Sequence, residues 1–155
     1  MRSSAASDVY KRQDYITSRI DVNNKCFLAP ENMTEAIKSY CNNNDLIIPD
    51  TAGEIAAVVY KSLADSYADT VMQIEKNLDI TYDAIYVIGG GANAGYLNQL
   101  TADSTGKTVV AGPAEATAIG NIMAQMIADS VFKNLKEARA CVRDSFDIKR
   151  FEQKR

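Results

Sequence analysis

The sequence predicts an α/β fold in which helices pack on a small, mainly parallel sheet. Three observations carry this prediction: a long helical pattern at 51–78 and two short apolar runs, at 84–89 and 107–112, with helical patterns between and after them. Helices that alternate with buried strands favour parallel pairing, because each helix returns the chain to the same end of the sheet. The length of 155 residues is enough for one domain with its own core.

The two ends of the chain differ from its middle. Residues 1–13, MRSSAASDVYKRQ, are rich in Ser and Arg and poor in acids, which are two features of a transit peptide. They also resemble the translated adaptor sequence that begins many proteins predicted from metagenomic assemblies, so we expect a non-native leader there. Residues 14–132 are then expected to form the domain, and residues 133–155 a charged helix followed by a polar tail.

Two helices are predicted in the first half of the chain. The shorter one, at 33–42, has apolar residues at spacings of three and four. The longer one, at 51–78, begins with Thr51 and Glu54, which fit a capping box. Apolar residues then recur at helical spacing, which predicts one buried stripe along this helix: Ile55, Val58, Val59, Leu63, Tyr67, Val71 and Ile74.

The second half alternates strands and helices. The run AIYVIG at 84–89 is continuously apolar, as in a strand that is buried on both faces. Residues 96–105 predict a short helix that ends at Gly106, a plausible C-cap. The run KTVVAG at 107–112 predicts a second buried strand, and 114–132 a helix rich in small residues and suited to close packing.

Composition excludes several classes of function. The net charge of -3 argues against nucleic acid or a membrane surface as the main partner, since both favour a basic protein. The chain has no histidine, which removes His-based acid–base chemistry and most metal sites. Its three cysteines are odd in number and form no CxxC pair, so we expect reduced thiols in a cytoplasmic protein, with neither a disulfide framework nor a zinc site.

Three consecutive glycines follow the first predicted strand and open the predicted helix at 96–105. Glycines lose much backbone freedom on folding, so a chain that keeps three of them usually needs unusual dihedral angles or a close approach of its backbone to another group. Glycines between a strand and a helix are typical of sites that bind phosphate or a flat nucleoside. The candidate cofactor-binding residues are Gly89, Gly90, Gly91, Ala92 and Asn93.

Three interpretations of these glycines compete. The run GGGANA at 89–94 matches the G-x-G-x-x-A pattern of a dinucleotide site, but that fingerprint also requires an acid after the next strand, where Ala111, Gly112 and Pro113 stand. A structural interpretation is that the glycines let a helix cross close over a strand end. The third interpretation is a nucleotide site in an actin-like ATPase fold.

A family resemblance favours the third interpretation. Residues 86–128, with a strand that ends in three glycines and a later Gly-Pro-x-Glu-Ala-x-x-x-Gly-Asn run at 112–121, resemble the C-terminal domain of the FGGY family of carbohydrate kinases. The segment at 27–41 and the long helix at 51–78 extend the resemblance to about residues 16–132. It implies an incomplete part of the C-terminal actin-like ATPase, or ribonuclease H-like, domain.

The resemblance also implies an activity and its partners. Within the family, the pattern is most similar to the kinases that use ATP and Mg²⁺ to convert L-rhamnulose into L-rhamnulose 1-phosphate in rhamnose catabolism. In that family the strand–glycine turn lies against the adenosine of ATP. It therefore implies backbone contact at Gly90, with Gly89 and Gly91 beside it, and contact of Ala92 and Asn93 with adenine or ribose.

The resemblance implies that the catalytic Asp, the phosphate loop and most sugar contacts of the family lie upstream of this chain. No catalytic residue and no metal ligand is therefore assigned here, and the chain alone is expected to be inactive. Two alternatives stay open: a kinase of the same family for another sugar, and a non-catalytic sugar-responsive regulator on the same fold. Four polar residues near the glycines are expected to be structural: Gln99, Asp103, Glu115 and Asn121.

Overall fold

The computed structural model describes residues 16–154, so the predicted leader at 1–13 lies outside the described residues. The chain divides into two compact units, with the boundary between Ile80 and Thr81. The first unit is helical, and the second carries the sheet.

The first unit contains the two predicted helices. Helix α1 spans Met33–Asn43, and its N-cap Asn32 accepts a hydrogen bond from the backbone N–H of Glu35. Helix α2 spans Ala52–Leu78 and begins with the complete capping box predicted from the sequence. In that box the Thr51 hydroxyl accepts from the N–H of Glu54 at 3.2 Å, and the Glu54 carboxylate accepts from the N–H of Thr51 at 3.3 Å. Both helix starts are therefore fixed by local side chains.

An extended segment, residues 16–20, packs with both helices and alternates buried and exposed side chains. Its buried isoleucines join the core of the first unit, a cluster of Ile16, Ile20, Ile37, Cys41 and Val58. Polar side chains of α2 also hold the segment: the Ser62 hydroxyl accepts from the N–H of Ile20 at 2.9 Å, and the Lys61 ammonium donates to the carbonyl of Ile16 at 3.0 Å.

The apolar stripe predicted along α2 is buried only in the first half of the helix. Its buried residues end at Ala64, whereas Tyr67 and Ile74, farther along, are 41% and 43% exposed. The prediction of one continuous buried stripe is therefore wrong within this unit. The reason is that the core cluster reaches only the first turns of the helix, at Ile55, Val58 and Val59.

The second unit contains a mixed sheet of three strands in the order β1-β2-β3. Strands β1, Ala84–Val87, and β2, Thr108–Ala111, are parallel, with Ala84 opposite Thr108 and Val87 opposite Ala111. The predicted parallel pair is confirmed. Strand β3, Lys149–Phe151, pairs antiparallel with β2.

Two expectations about the sheet are wrong. Strand β3 lies in the segment that was expected to be a polar tail, because a three-residue strand with two cations carries no recognisable sequence pattern. Strand β1 is not buried on both faces: Tyr86 is 73% exposed, and Ile88, just after the strand, is 64% exposed. Within the described residues β1 pairs with β2 alone, so it is an edge strand.

Three helices complete the second unit. Helix α3 spans Gly95–Thr105 and ends, as predicted, at Gly106, whose positive φ of 68° forms a left-handed cap. Helix α4 spans Ala116–Ala128 and is shorter than predicted, and helix α5 spans Leu135–Ser145. Among residues 16–154, no helix combines the length and the apolar character needed to cross a bilayer.

Candidate functional site

The glycine turn, Gly89–Asn93, lies at the carboxyl end of β1, beside the carboxyl end of β2. The two strand ends are joined by backbone hydrogen bonds: the N–H of Gly112 donates to the carbonyl of Val87 at 2.8 Å, and that of Gly89 to the carbonyl of Pro113 at 3.4 Å. In open α/β sheets, ligands bind outside the carboxyl ends of parallel strands. The glycine turn therefore occupies the edge of the sheet where a ligand is expected.

The glycine turn itself is one short 3₁₀ helix that leads into α3. Its first residue, Gly89, has a φ of +76°, a backbone conformation that strains any residue with a Cβ. Its end is fixed by the N–H of Ala94, which donates to the carbonyl of Gly91 at 3.0 Å. The shape of the turn therefore accounts for a glycine at position 89.

Gly90 has no such explanation within the described residues. Its φ lies outside the left-handed range, and apart from its two chain neighbours no described residue has an atom within 4 Å of the place where its Cβ would stand. Residue 90 is also exposed. A side chain would thus fit here without strain or collision, so neither backbone conformation nor packing against the described residues requires a glycine.

The neighbours of Gly90 differ in what they can offer a ligand. A Cβ on Gly91 would stand 3.4 Å from Val87 Cγ1, at the limit of ordinary packing. Ala92 is buried at 7% exposure, so its methyl group faces the protein interior. Asn93 is exposed. The open side of the glycine turn is therefore main chain at Gly90 and Gly91, with one polar side chain at Asn93.

Asn98, on α3, is a residue that the sequence analysis did not single out. It is 3% exposed, and its Nδ2 donates to the carbonyls of Gly91 and Ala92 at 3.3 Å and 3.2 Å. The available signal was its place on the same helix face as Thr101 and Ala102, at spacings of three and four, both of which are buried. A polar residue on a buried face needs hydrogen-bond partners, and here the glycine turn provides them.

Gln99 and Asp103 have the structural role that was expected. They bond to each other, and they hold the C-terminal segment: Gln99 Nε2 donates to the carbonyl of Glu152 at 2.8 Å, and Asp103 Oδ1 accepts from the N–H of Lys154 at 2.8 Å. Glu115 is the N-cap residue of α4 and makes no capping hydrogen bond with the described residues. Asn121 is exposed on the same helix.

Ionisable and metal-binding side chains contribute little to this site. Among residues 16–154, no group of three or more Cys, Asp or Glu side chains is arranged to hold a metal ion. The three cysteines are free, and burial raises the pKa of the Cys41 thiol, which makes it a weak nucleophile. The glycine turn itself, Gly89–Asn93, carries no charged side chain, so it offers a ligand backbone groups and the amide of Asn93.

Comparison with known proteins assigns this chain to a family. Residues 9–128 match the FGGY family of carbohydrate kinases, C-terminal domain. The chain belongs to the FGGY family. The FGGY C-terminal domain has the actin-like ATPase fold, so the α/β class predicted from the sequence is confirmed. Family membership also favours the ATPase interpretation of the glycine turn over the dinucleotide interpretation, which lacks its acid after β2.

Three similar FGGY proteins are each named rhamnulokinase. The one from Oceanobacillus iheyensis is 48% identical over 131 residues, which cover 84% of this chain and 28% of that protein. The one from Bacillus subtilis is 46% identical over 144 residues, 93% of this chain and 30% of that protein. The one from Mannheimia succiniciproducens is 36% identical over 137 residues, 88% of this chain and 28% of that protein. The chain thus spans under a third of the length of these curated relatives.

Proposed function

We propose that this chain is the nucleotide-binding C-terminal part of an ATP-dependent kinase that converts L-rhamnulose into L-rhamnulose 1-phosphate. Two lines of evidence support the proposal. The chain belongs to a family of carbohydrate kinases, and the similar proteins of that family carry the name rhamnulokinase at 36% to 48% identity. Residues 14–132 form the kinase domain in this proposal, and residues 133–155 its C-terminal extension.

The observation that carries the proposal is the bare main chain at Gly90. The base of a nucleoside is flat, and it can rest on a peptide group only where no Cβ stands between them. Gly90 is exposed, its Cβ position is open, and it follows a strand at the carboxyl end of a parallel pair. Gly89 and Gly91 flank this contact, while Ala92 through its backbone and Asn93 through its side chain lie next to the adenine or ribose.

The proposed task of this chain is to bind and orient the nucleotide, and the bound ATP supplies the phosphoryl group that is transferred. Positioning of this kind is a large part of catalysis of phosphoryl transfer. No residue of this chain is assigned as the base that accepts the sugar proton. No metal ligand is assigned here either, and in our proposal Mg²⁺ is held through the phosphates and through residues outside this chain. Because ATP is the phosphoryl donor, we place the reaction in the cytoplasm.

The test uses the full-length protein that contains this chain. Its ATP-dependent phosphorylation of L-rhamnulose is measured beside that of other ketoses and of glycerol, and the Michaelis constants for ATP and for the sugar are determined. We expect L-rhamnulose to be the best substrate. Gly90→Val should raise the Michaelis constant for ATP at least tenfold and that for the sugar far less, because the new side chain occupies the place of the nucleoside.

The matched control is Gly120→Ala, a second glycine with open space around its Cβ position, on α4 and outside the glycine turn. It should leave both Michaelis constants unchanged. Equal effects of Gly90→Val on ATP and sugar would contradict the nucleotide role of the turn. A better substrate among the other ketoses would contradict the assigned sugar, and nucleotide binding without transfer to any sugar would support a regulator instead of a kinase.

A further inference from the structure

The structure places one buried amide under the glycine turn, at Asn98. We propose that Asn98 is a positioning residue for the nucleotide, which acts by fixing the direction of two peptide groups in the turn. The inference rests on the proposed function, because it assumes that the turn is where the nucleotide binds. It adds a residue that never touches the ligand and still sets how well the ligand binds.

The direction of the hydrogen bonds separates Asn98 from an ordinary buried polar residue. Its neighbour one turn later, Thr101, is also 3% exposed, but the Thr101 hydroxyl donates to the carbonyl of Leu97 in the same helix. Asn98 Nδ2 donates instead to the carbonyls of Gly91 and Ala92, which lie seven and six residues earlier in another element. The amide nitrogen of Asn98 therefore donates its hydrogen bonds to the glycine turn and not to its own helix.

These bonds also fix the orientation of two peptide planes in the turn. A peptide group is planar and, within the described residues, never cis, so its carbonyl and its N–H point in opposite directions. The carbonyl of Gly91 shares a peptide plane with the N–H of Ala92, and the carbonyl of Ala92 shares one with the N–H of Asn93. When Asn98 holds the two carbonyls, it fixes both of these peptide planes and with them the path of the main chain from Gly91 to Asn93.

A turn that contains three glycines needs this kind of restraint. Glycine has more accessible backbone conformations than any other residue, so such a turn samples many shapes unless something fixes it. Gly91 is fixed twice, since its carbonyl also accepts from the N–H of Ala94 at 3.0 Å. If only a fraction of molecules hold the turn in its binding shape, the apparent nucleotide affinity falls by that same fraction. The Asn98 amide keeps that fraction high.

The test compares Asn98→Leu with Thr101→Val in the full-length protein. Leu has the same branching at Cγ as Asn but no hydrogen-bond donor and a somewhat larger side chain, so the turn loses two bonds. We expect the dissociation constant of ADP, measured by calorimetry, and the Michaelis constant for ATP to rise about tenfold, as two lost neutral hydrogen bonds predict. The turnover number and the Michaelis constant for the sugar should change less than twofold.

The control variant separates positioning from stability. Thr101→Val removes a hydrogen bond from the same buried helix face, so it should lower the melting temperature while it leaves ADP affinity intact. If Asn98→Leu does not fold, Asn98→Ala removes the same donors with less bulk. Normal ADP affinity in a folded Asn98 variant would overturn this inference and leave the proposed kinase intact. A wild-type protein that binds no nucleotide would overturn both.

Discussion

The two units of the chain use buried polar side chains for different purposes. In the first unit, Ser62 and Lys61 bond to the backbone of the extended segment, so they hold the interior of that unit together. In the second unit, Asn98 bonds to two carbonyls of a turn whose neighbouring residues, Gly90 and Asn93, are exposed. A buried hydrogen bond thus stabilises the interior of the first unit, whereas in our proposal it sets the shape of an exposed turn in the second.

The two interiors also differ in the size of their side chains. The core of the first unit is built on three isoleucines and a valine. The buried apolar positions of the second unit are alanines and valines, namely Ala92, Ala102, Val109, Val110, Ala111 and Ala138. Helix α4 contributes no buried residue to the described structure. Because burial stabilises in proportion to apolar area, we expect core truncations to cost most in the first unit.

The largest effect is expected from Ile37→Ala, at a residue that is 2% exposed in the core of the first unit. The lost burial and the resulting cavity should lower the free energy of unfolding by about 2–5 kcal/mol. Urea unfolding of the purified chain measures this loss. The matched control is Ile48→Ala, at a 47% exposed residue, which should cost about 0.5 kcal/mol or less. Similar losses for both variants would mean that the cluster around Ile37 is not the stabilising core of the first unit.

A smaller effect is expected in the second unit from Gly89→Ala. The φ of +76° at Gly89 should make alanine about 1–2 kcal/mol less stable, because L-residues are strained in that region. Gly90→Ala, at the next position, should cost no stability, since its Cβ has open space. Thermal unfolding of both variants measures the difference. Equal destabilisation would mean that Gly90 is kept for the fold, which would weaken the nucleotide proposal.

The capping box of α2 should contribute slightly less to the free energy of unfolding. Thr51→Ala removes the acceptor for the N–H of Glu54, so the free energy of unfolding should fall by about 1 kcal/mol. Thr51→Ser keeps a hydroxyl at the same place and should recover most of that loss. Helix content by circular dichroism, followed through thermal unfolding, reports both. If serine fails to recover stability, the methyl group of Thr51 rather than its hydroxyl is the stabilising part.

The smallest effect concerns the thiol of Cys41. Burial raises the pKa of this thiol, so the folded chain keeps it protonated at a pH where the unfolded chain ionises it. The stability that the protonated Cys41 thiol contributes is therefore fully present below the ordinary thiol pKa. It is lost as the pH rises through the raised pKa of the folded chain. We expect the difference in stability between the wild type and Cys41→Ala to shrink between about pH 7 and about pH 10. A constant difference would contradict the shift.

Labelling provides an independent check on the same thiol. Cys26 and Cys141 are exposed and should react with a thiol reagent in the folded chain, whereas Cys41 should react only when urea unfolds the first unit. Rapid modification of all three in the native protein would show that the core around Ile37 and Val58 opens readily.

Sequence reasoning found the elements whose pattern is local. The capping box of Thr51 and Glu54, the left-handed cap at Gly106 and the parallel pair of strands were all predictable, because each depends on residues close in sequence or on a regular period. It also found the glycine turn. It did not find strand β3, because β3 forms by pairing with β2, which lies far earlier in the chain.

The same limit explains the errors about burial and about Asn98. An apolar run such as AIYVIG can form either a central strand or an edge strand, and only the sheet order shows that β1 is at the edge. Likewise, asparagine in a helix carries no sign of its partners, and only the packing of α3 against the glycine turn shows which two carbonyls Asn98 bonds to. Local chemistry thus predicts where a turn forms, while packing decides what holds it.

The two rims of the sheet are chemically unlike. On the β3 side stand Lys149 and Arg150, and charged residues on an outer strand discourage another chain from adding to it. On the β1 side the strand is AIYV, uncharged and with Tyr86 largely exposed. Within the described residues, the uncharged edge at β1 is therefore the one that favours addition of another strand, and a charged residue in place of Tyr86 would protect it as Lys149 and Arg150 protect β3.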